Sequence, residues 1–390
     1  MPSTKKRSRS YTTKNRVKLI RAGHPYFSLL TELINQAAYS IHLQVYIFDN
    51  DETGAAVGEA LIEAANRGVN VYIVADGFAS KALSSAFIVK LRKAGINFKY
   101  FEPLFRSKSF YFGRRLHHKI TVVDGKYSLV GGINISNCYN DLPGAPSWLD
   151  YALYTEGEAA VQLFKLCNEF WENTSVTLPV IPAETHELIQ SISEKDLCSV
   201  KVCHNDWVKL NNQIWKSYFD LFNQASQSII IICSYFLPGW ELLNKLSKAA
   251  KRGVKIKVIL AGPSDVMLAK YAERYLYKWM LNRGIRIFEY QPAVLHAKMA
   301  VADDHWVNIG SYNINDISAI AGIETNLYVR NKPFAQQIRQ ELDKKIEEDC
   351  IEITLKTHKI SWIGMLWQRM AYQIIKLFIN LFTFYFKRRL

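Results

Sequence analysis

The amino-acid sequence predicts an α/β protein with two pseudo-symmetric lobes, each a mixed β-sheet flanked by helices, followed by a C-terminal amphipathic helix. Three observations lead to this prediction. The two halves repeat one order of hydrophobic segments, both contain a closely similar polar motif, and the C-terminal stretch carries its polar residues on one narrow stripe. A chain of 390 residues is long enough for two domains that each bury a sizeable core.

Strands and helices are predicted to alternate in each half. In the first half, "SIHLQVYIF" reads as a buried strand, "GAAVGEALIEAANRG" as a helix and "VNVYIVADG" as the next strand. The second half repeats this order with "SIIIICSYF", "WELLNKLSKAAKRG" and "VKIKVILAG". A further helix, glycine and strand follow in "LRKAGINFKYFEP" and again in "LNRGIRIFEYQP". This alternation predicts a largely parallel or mixed sheet in each lobe.

The predicted organisation has five segments. They are a basic N-terminal arm (1–18), a first lobe (19–175), an inter-lobe connection (176–200), a second lobe (201–345) and an amphipathic membrane-associating tail (346–390). Two prolines and many polar residues predict the connection. The first lobe is longer just before its motif, where "FRSKSFYFGRR" (105–115) reads as either an exposed loop or a lipid contact.

The net charge of +14 is concentrated at the two ends of the chain. Residues 1–18 and 353–390 each hold seven Lys or Arg and no acidic residue, whereas the rest holds 35 basic and 35 acidic residues. Proteins that bind duplex nucleic acid usually spread their charge over the folded surface. Basic ends on a neutral body fit an anionic phospholipid membrane better, so we expect no nucleic acid partner. For residues 1–18 alone, a solvated disordered arm is an equal alternative.

The tail is predicted to be a helix that lies in the plane of a membrane surface. Its polar positions recur at alternating steps of four and three residues: Arg369, Gln373, Lys376, Asn380, Thr383 and Lys387. The uninterrupted apolar runs are shorter than the roughly 20 residues that a span needs. A re-entrant or tilted insertion, or a core helix of the second lobe, are the alternatives. The N-terminus lacks an apolar signal region and the six cysteines lack a disulfide spacing, so we expect a cytosolic working side.

One motif occurs twice, as "HHKITVVDGKYSLVGGIN" from His117 and as "HAKMAVADDHWVNIGSYN" from His296. Both read His, any residue, Lys, four residues and Asp, and both continue to a Gly and an Asn at the same spacing. In a strand, alternate residues share a face, so each histidine points the same way as the lysine two residues later. Two lobes related by a pseudo-two-fold axis bring both pairs into one cleft.

This set of side chains suits the chemistry of a phosphodiester. One neutral imidazole can attack phosphorus and form a phosphohistidine, while the other, protonated, donates to the leaving oxygen. Two lysines and two amide side chains can hold the charge of the non-bridging oxygens. No metal is needed, and no carboxylate cluster is found to hold one. A strand with His and Lys is common by chance, but two extended copies in register are not.

The two motifs, together with "AANRGVNVYIVADGFAS", "SYFLPGW" and "GSYNINDISAIAGIETNLYV", resemble the phospholipase D superfamily. Within it, the chain is similar to bacterial cardiolipin synthases of the type without N-terminal transmembrane helices, over roughly residues 17–345. The resemblance implies two phospholipase D-like lobes and an amphipathic membrane helix at the end of the chain. It departs from the family at Gln44, where glutamate is frequent, and in "DISAIAGIETN", which lacks an Arg-Ser pair.

The resemblance also implies a role for each motif residue. The nucleophile would be His117 and the general acid and base His296; the symmetric motifs do not themselves rank the two. The phosphate would be bound by Lys119, Lys298, Asn134 and Asn313. The motif aspartates, Asp124 and Asp303, would brace the motifs, and two later carboxylates, Asp150 and Glu324, would orient the histidines.

The implied activity is a phosphatidyl transfer that makes cardiolipin from phosphatidylglycerol and a second phospholipid alcohol. Hydrolysis of phospholipids is the first alternative; a nuclease and a non-enzymatic membrane scaffold are weaker ones. We expect no cofactor, a monomer that suffices for one active site, and peripheral attachment to the cytoplasmic face of the bacterial cell membrane.

Overall fold

Two mixed β-sheets, one from each half of the chain, form the framework of the protein. The structure is a computed structural model that describes residues 11–103, 114–172, 174–209, 211–315, 322–358 and 360–387, with only the backbone over 378–387. The sheets pack against each other through a shared core, in which Ile120 and Leu153 of the first half meet Ile230 and Leu327 of the second. The cleft between the lobes is therefore held by one hydrophobic core.

The first sheet has seven strands in the order β1-β8-β7-β6-β2-β3-β4. The strands of the first half are β1 (Asn15–Arg21), β2 (Ser40–Val45), β3 (Asn70–Asp76), β4 (Asn97–Phe101), β5 (Arg115–Leu116), β6 (Lys119–Val123), β7 (Tyr127–Gly131) and β8 (Tyr151–Gly157). Its helices are α1 (His24–Gln36), α2 (Glu52–Asn66), α3 (Ser85–Lys93), α4 (Glu158–Asn168) and α5 (Ala183–Ser191). The strands β2, β3 and β4 run parallel, and the other neighbours are antiparallel.

The second sheet has the order β10-β9-β16-β15-β14-β11-β12-β13-β17, and β5 of the first half joins it at β16. Its strands are β9 (Ser199–Asp206), β10 (Asn211–Asn212), β11 (Ser228–Cys233), β12 (Lys255–Ala261), β13 (Arg286–Tyr290), β14 (Lys298–Ala302), β15 (Trp306–Gly310), β16 (Gly322–Arg330) and β17 (Cys350–Ile353). Its helices are α6 (Gln213–Gln224), α7 (Trp240–Lys251), α8 (Met267–Tyr275), α9 (Tyr277–Leu281), α10 (Lys332–Asp349) and α11 (Trp362–Lys387).

The predicted duplication of the fold is confirmed. In each lobe a central strand, β2 or β11, lies between a parallel neighbour and the antiparallel strand that carries the motif. The register is equivalent, because Val45 pairs with Lys119 as Cys233 pairs with Lys298. Strand β11 reads as a continuous apolar run, SIIIIC, as expected for a strand covered on both faces, whereas β2, SIHLQV, is buried along its whole length but carries three polar side chains.

The chain forms regular structure in two segments where the sequence suggested little. Strand β1 begins at Asn15, inside the range predicted as the basic arm, and its whole length pairs with β8. Helix α5 lies within the predicted connection. Residues 1–10 and most of the basic and aromatic segment 105–115 lie outside the described residues, so the predictions for them stay predictions.

The C-terminal helix α11 lies against α8, and over residues 362–377 most of its apolar side chains are exposed. Ala371 and Tyr372 are buried, and the Tyr372 ring lies 4.8 Å from that of Tyr275. The exposed apolar residues of the helix are Trp362, Ile363, Met365, Leu366, Trp367, Met370, Ile374 and Leu377. Over residues 362–377 the helix thus adds Ala371 and Tyr372 to the core of the second lobe and exposes a wide apolar face. Within the described ranges, no helix combines the length and apolarity needed to cross a membrane.

Candidate active site

The two motifs meet where each lobe pairs with the backbone of the other. Strand β5 runs parallel to the start of β16, and the His117 N–H donates to the Ile323 carbonyl at 3.0 Å. In the same way Leu149 pairs with Leu295, and the His296 N–H donates to the Leu149 carbonyl at 2.8 Å. Each catalytic candidate is therefore positioned by the opposite lobe.

The two predicted orienting carboxylates lie beside the histidines, and each comes from the other lobe. The Nδ1 atom of His117 lies 2.9 Å from Glu324 Oε2, and that of His296 lies 2.7 Å from Asp150 Oδ2. An imidazole that donates its Nδ1 hydrogen to a carboxylate keeps Nε2 as the atom that can react. The family resemblance implied these two carboxylates from their places after the motifs, but not that they cross between lobes.

Burial controls the protonation of this group. It lowers the pKa of His117, and it lowers that of His296 still further with help from the charges of Lys298 and Lys119. Burial also raises the pKa of Asp150 to about 7. Without substrate, both imidazoles are thus neutral near pH 7. A bound phosphate diester adds negative charge, which favours the protonated form of one of them.

The two motif lysines lie beside the histidines on the same face, as predicted. Lys119 Nζ donates to the His117 carbonyl at 3.0 Å, and Lys298 Nζ donates to that of His296. Burial lowers the pKa of Lys119 to about 7 and also lowers that of Lys298. The Lys119 ammonium lies 4.9 Å from the centre of the Tyr46 ring. Burial makes the charged forms of both lysines unfavourable, so a bound anion would stabilise them.

The two motif asparagines are held differently. Asn134 is committed at both ends, because its Oδ1 accepts from the Ile47 N–H at 3.1 Å and its Nδ2 donates to the Tyr139 hydroxyl at 2.9 Å. Asn313 accepts from the Ser234 hydroxyl at 2.6 Å through Oδ1. The lobes therefore present unequal surroundings to a phosphate, although their motifs are the same.

The motif aspartates lie at the far ends of the motif strands from the histidines. Asp124 accepts the backbone N–H groups of Tyr39 and Ser40 at 2.8 and 2.7 Å. Asp303 accepts those of Gln227 and Ser228, both at 2.8 Å. Each carboxylate thus fixes the start of the neighbouring central strand. This placement fits the bracing role that the resemblance implied.

Tyr139 is a buried residue of the site that the sequence analysis missed. Its hydroxyl oxygen lies 3.4 Å from Nδ1 and 3.5 Å from Nε2 of His296 and also receives the hydrogen bond from Asn134. Burial raises its pKa well above the usual value, so the phenol remains protonated. Tyr139 is the last residue of a short 3-10 helix, Asn137–Tyr139. No periodic pattern in the sequence distinguishes it from other aromatic residues.

Gln44, where glutamate is frequent in the family, lies on the side of the first motif that faces away from the cleft. His118 points away from the cleft. Its Nδ1 atom lies 2.7 Å from Gln44 Oε1, and its Nε2 atom lies 2.9 Å from Thr325 Oγ1. Glutamine supplies this contact without a charge, and the bridge to Thr325 ties the first motif strand to the second lobe. Gln44 therefore supports the strand that carries His117 and Lys119.

The fold and the site define a protein of the phospholipase D-like class, with two lobes that each contribute a histidine and a lysine to one cleft. The sequence profile described as "Cardiolipin synthase, PLD-like domain" matches residues 30–142 and 218–346. The chain belongs to this family, and it is a phosphatidyltransferase of the phospholipase D superfamily.

Individual relatives agree with this assignment. The chain is 32% identical over 346 residues to cardiolipin synthase B of Salmonella typhi, covering 87% of this chain and 82% of the relative. It is 30% identical over 355 residues to cardiolipin synthase B of Escherichia coli strain K12, covering 88% and 83%. Cardiolipin synthase 1 of Bacillus cereus is 27% identical over 372 residues, covering 94% and 72%.

Solved structures support the same fold. Phosphatidylserine synthase of Haemophilus influenzae matches with a TM-score of 0.72 at 15% identity, covering 93% of each chain. Polyphosphate kinase of Porphyromonas gingivalis matches with a TM-score of 0.59 at 16% identity, covering 94% of this chain and 53% of that one. At these identities the likeness concerns the fold alone.

Proposed function

We propose that the protein makes cardiolipin by transferring a phosphatidyl group from phosphatidylglycerol to the hydroxyl of a second phospholipid, through a phosphohistidine. The observation that carries the proposal is the pairing of two imidazoles, each held by a carboxylate at Nδ1, with two buried lysines. Two reactive Nε2 atoms and two cations are the groups that a phosphodiester exchange needs.

In the first step, His117 Nε2 attacks phosphorus and forms a nitrogen–phosphorus bond. The bond from phosphorus to the glycerol oxygen breaks, and His296 gives its proton to that oxygen, so that glycerol leaves. Glu324, 2.9 Å from His117 Nδ1, stabilises the positive charge that the attacking ring acquires. Lys119 and Lys298 balance the charge on the non-bridging oxygens.

In the second step, the neutral His296 accepts the proton of an incoming phospholipid hydroxyl. That oxygen attacks phosphorus, the bond to His117 breaks, and cardiolipin leaves with the phosphate. Each proton that His296 gives away in the first step returns in the second, so no oxidant or further reactant is needed. The lysines and the Asn313 amide group supply the charge stabilisation, and we therefore propose that the transfer is metal-independent.

The surface around α11 supports peripheral attachment to an anionic membrane, on the cytoplasmic face of the cell membrane in our proposal. The helix exposes a row of aromatic and aliphatic side chains, and its neighbour α8 adds Met267, Leu268 and Tyr271. Arg369 is exposed beside this face, and the Lys376 ammonium lies over the Tyr372 ring at 4.7 Å. Apolar burial combined with cationic flanks is the usual basis of interfacial binding.

The proposal is tested with purified protein and labelled phosphatidylglycerol vesicles in the presence of a chelator, with lipid products separated. We expect cardiolipin and free glycerol, with loss of both in His117→Ala and His296→Ala. Phosphatidic acid as the sole product would instead identify a hydrolase. Turnover that stops in chelator and returns with a metal ion would contradict metal independence.

A further inference from the structure

The loop that follows β11 leads from the second sheet into the cleft. Cys233, the last residue of β11, pairs with Lys298, and the Ser234 N–H donates to the Ala297 carbonyl at 3.1 Å. Tyr235 is the next residue, so it flanks the segment from His296 to Lys298. The backbone beyond it is fixed, because the Phe236 N–H donates to the buried carboxylate of Glu273 at 3.0 Å.

Tyr235 is paired with an exposed carboxylate. Its hydroxyl lies 2.6 Å from Oδ1 and 2.7 Å from Oδ2 of Asp265, which belongs to the loop between β12 and α8. Tyr235 is partly buried, whereas Asp265 is open to solvent. Burial, followed by the hydrogen bond to Asp265, raises the pKa of Tyr235, so the phenol remains a donor. The carboxylate keeps acceptor capacity for a further ligand.

Tyr235 and Asp265 lie on the second-motif side of the cleft, because Ser234, the residue before Tyr235, donates its hydroxyl to Asn313 Oδ1 at 2.6 Å. Burial lowers the pKa of His296 and of Lys298, and the charge of Asp265 partly offsets the lowering at both. A carboxylate at this place repels the phosphate of a substrate. The part of the substrate that lies against Asp265 must therefore be something other than the phosphodiester.

In the part of the first lobe that the structure describes, the carboxylate near the cleft is Asp76, which is buried and already paired: its oxygens accept the N–H groups of Ala79 at 3.0 Å and Leu116 at 2.9 Å. Ser80 and Asp265 each lie four residues beyond the end of the equivalent strands β3 and β12. The Ser80 hydroxyl is turned inward, where it donates to the Tyr46 carbonyl at 2.8 Å and accepts the Phe48 N–H at 3.0 Å. Nearby, the Arg115 guanidinium lies 5.5 Å from the Phe78 ring. On the first-lobe side the carboxylate is thus enclosed and paired, with Arg115 Nη1 3.7 Å from Asp76 Oδ1, whereas the second-lobe side carries an exposed acceptor.

We propose that Asp265 and Tyr235 form the subsite for the glycerol headgroup, with the carboxylate accepting hydrogen bonds from its free hydroxyls. The inference rests on the proposed function and specifies which part of the site selects the alcohol. Adjacent hydroxyls match the two oxygens of a carboxylate. An ammonium headgroup fits less well, because Lys298 and Lys119 lie beside the same cleft and repel it.

The position of the subsite agrees with the order of the two steps. The leaving glycerol takes its proton from His296, and the incoming hydroxyl returns a proton to the same atom. Both alcohols must therefore occupy the same place beside His296. A single subsite on the second-lobe side serves the departing headgroup and the acceptor in turn, while the phosphatidyl group stays on His117.

The test uses the full-length protein and a phosphatidyl donor whose leaving group is p-nitrophenol, presented in vesicles with phosphatidylglycerol as acceptor. This donor carries no glycerol, so p-nitrophenol release reports the first step independently of the subsite. The intermediate gives cardiolipin when phosphatidylglycerol attacks it and phosphatidic acid when water attacks it. The ratio of the two products therefore measures how well the acceptor competes with water. In Asp265→Asn, we expect the ratio of cardiolipin to phosphatidic acid to fall by at least about tenfold, since a hydrogen bond to a charged group is lost.

Several variants complete this test. Tyr235→Phe is expected to lower the same ratio by less, because the carboxylate remains. Asp343→Asn serves as the matched control, since its carboxylate pairs with Lys257 on a different surface. Replacing phosphatidylglycerol by free ethanolamine, an alcohol that carries an ammonium group, should give little phosphatidylethanolamine with either protein. A preferential loss of transfer to ethanolamine in Asp265→Asn would mean that the subsite binds ammonium, which overturns the proposal.

The failure of this inference can be told apart from failure of the proposed function. If the wild type forms cardiolipin from phosphatidylglycerol and Asp265→Asn forms it with an unchanged product ratio, the subsite is wrong and the transfer stands. If the wild type forms no cardiolipin, with either phosphatidylglycerol or the phosphatidyl p-nitrophenol compound as donor, the proposed function itself fails, and the subsite fails with it.

Discussion

Asp150 and Glu324 each hold the Nδ1 atom of a histidine that the opposite lobe supplies. At the scale of single residues, this exchange decides which nitrogen reacts, because the hydrogen on Nδ1 leaves the lone pair on Nε2. Both carboxylates are buried, so each hydrogen bond to a ring is shielded from water. The tautomer of each nucleophile or base is therefore a property of both lobes together.

Replacing Asp150 by asparagine is expected to disable His296 while the fold survives. The amide no longer stabilises the protonated ring and can favour the wrong tautomer, so we expect kcat for cardiolipin formation to fall about 10²- to 10⁴-fold. Circular dichroism checks the fold, and Asp343→Asn is the control. Activity within twofold of the wild type would contradict the orienting role of Asp150.

The same substitution has a pH signature in stability. Burial raises the pKa of Asp150 from 3.8 to about 7 in the folded protein, so the folded state binds the proton more tightly than the unfolded state between these values. The free energy of unfolding of the wild type, relative to Asp150→Asn, should therefore fall as pH rises from about 4 to about 7, and level off above. Denaturant titrations at several pH values measure this difference, and a difference that rises with pH would contradict it.

At the scale of elements, α8 and α11 form a paired surface beside the cleft. The helix α11 buries only a narrow side on α8, and the side chains that remain exposed are large and apolar. Helix α8 begins just after β12, at the edge of the sheet where the catalytic strands also begin. A bilayer that contacts both helices would lie next to the opening through which lipid headgroups enter.

We expect substitution of the exposed face of α11 to weaken vesicle binding without affecting chemistry on soluble substrates. In Trp367→Asp combined with Leu377→Asp, binding to phosphatidylglycerol vesicles should fall by about tenfold or more, because each large side chain contributes about 1.5–3 kcal/mol on burial. Co-sedimentation at several salt concentrations measures it. Val180→Asp, at an equally exposed apolar residue of the connection, is the matched control. Unchanged binding of the double variant would remove α11 as the anchor.

At the scale of the whole molecule, the site exists because two similar sheets share one core. Pairing of β5 with β16 and of Leu149 with Leu295 places residues that are 207 and 146 positions apart in hydrogen-bonding contact. The internal duplication supplies both halves of the site within one chain. The two halves differ in their surroundings, since the Ser80 hydroxyl is turned inward whereas Asp265 is exposed.

The sequence alone predicted the elements that have a strong local pattern and missed those that depend on long-range pairing. The central strands were recognisable because each half repeats the same order of strand, helix and strand, and the motif spacing placed His117 and Lys119 on one face. By contrast, β1 is an edge strand with alternating exposure, and its basic residues resembled a solvated arm. The crossing of Asp150 and Glu324 and the contact of Tyr139 with His296 depend on how the lobes dock, which no local pattern encodes.

The central claim is that His117 carries the phosphatidyl group and His296 serves as acid and base. It is tested most directly by intact-protein mass and p-nitrophenol release with the phosphatidyl p-nitrophenol donor. This leaving group needs no protonation, so His296→Ala should release about one equivalent and stop, with the phosphatidyl mass retained on His117. The variant His117→Ala should release none. A burst and a retained adduct in His117→Ala, with none in His296→Ala, would contradict the assignment.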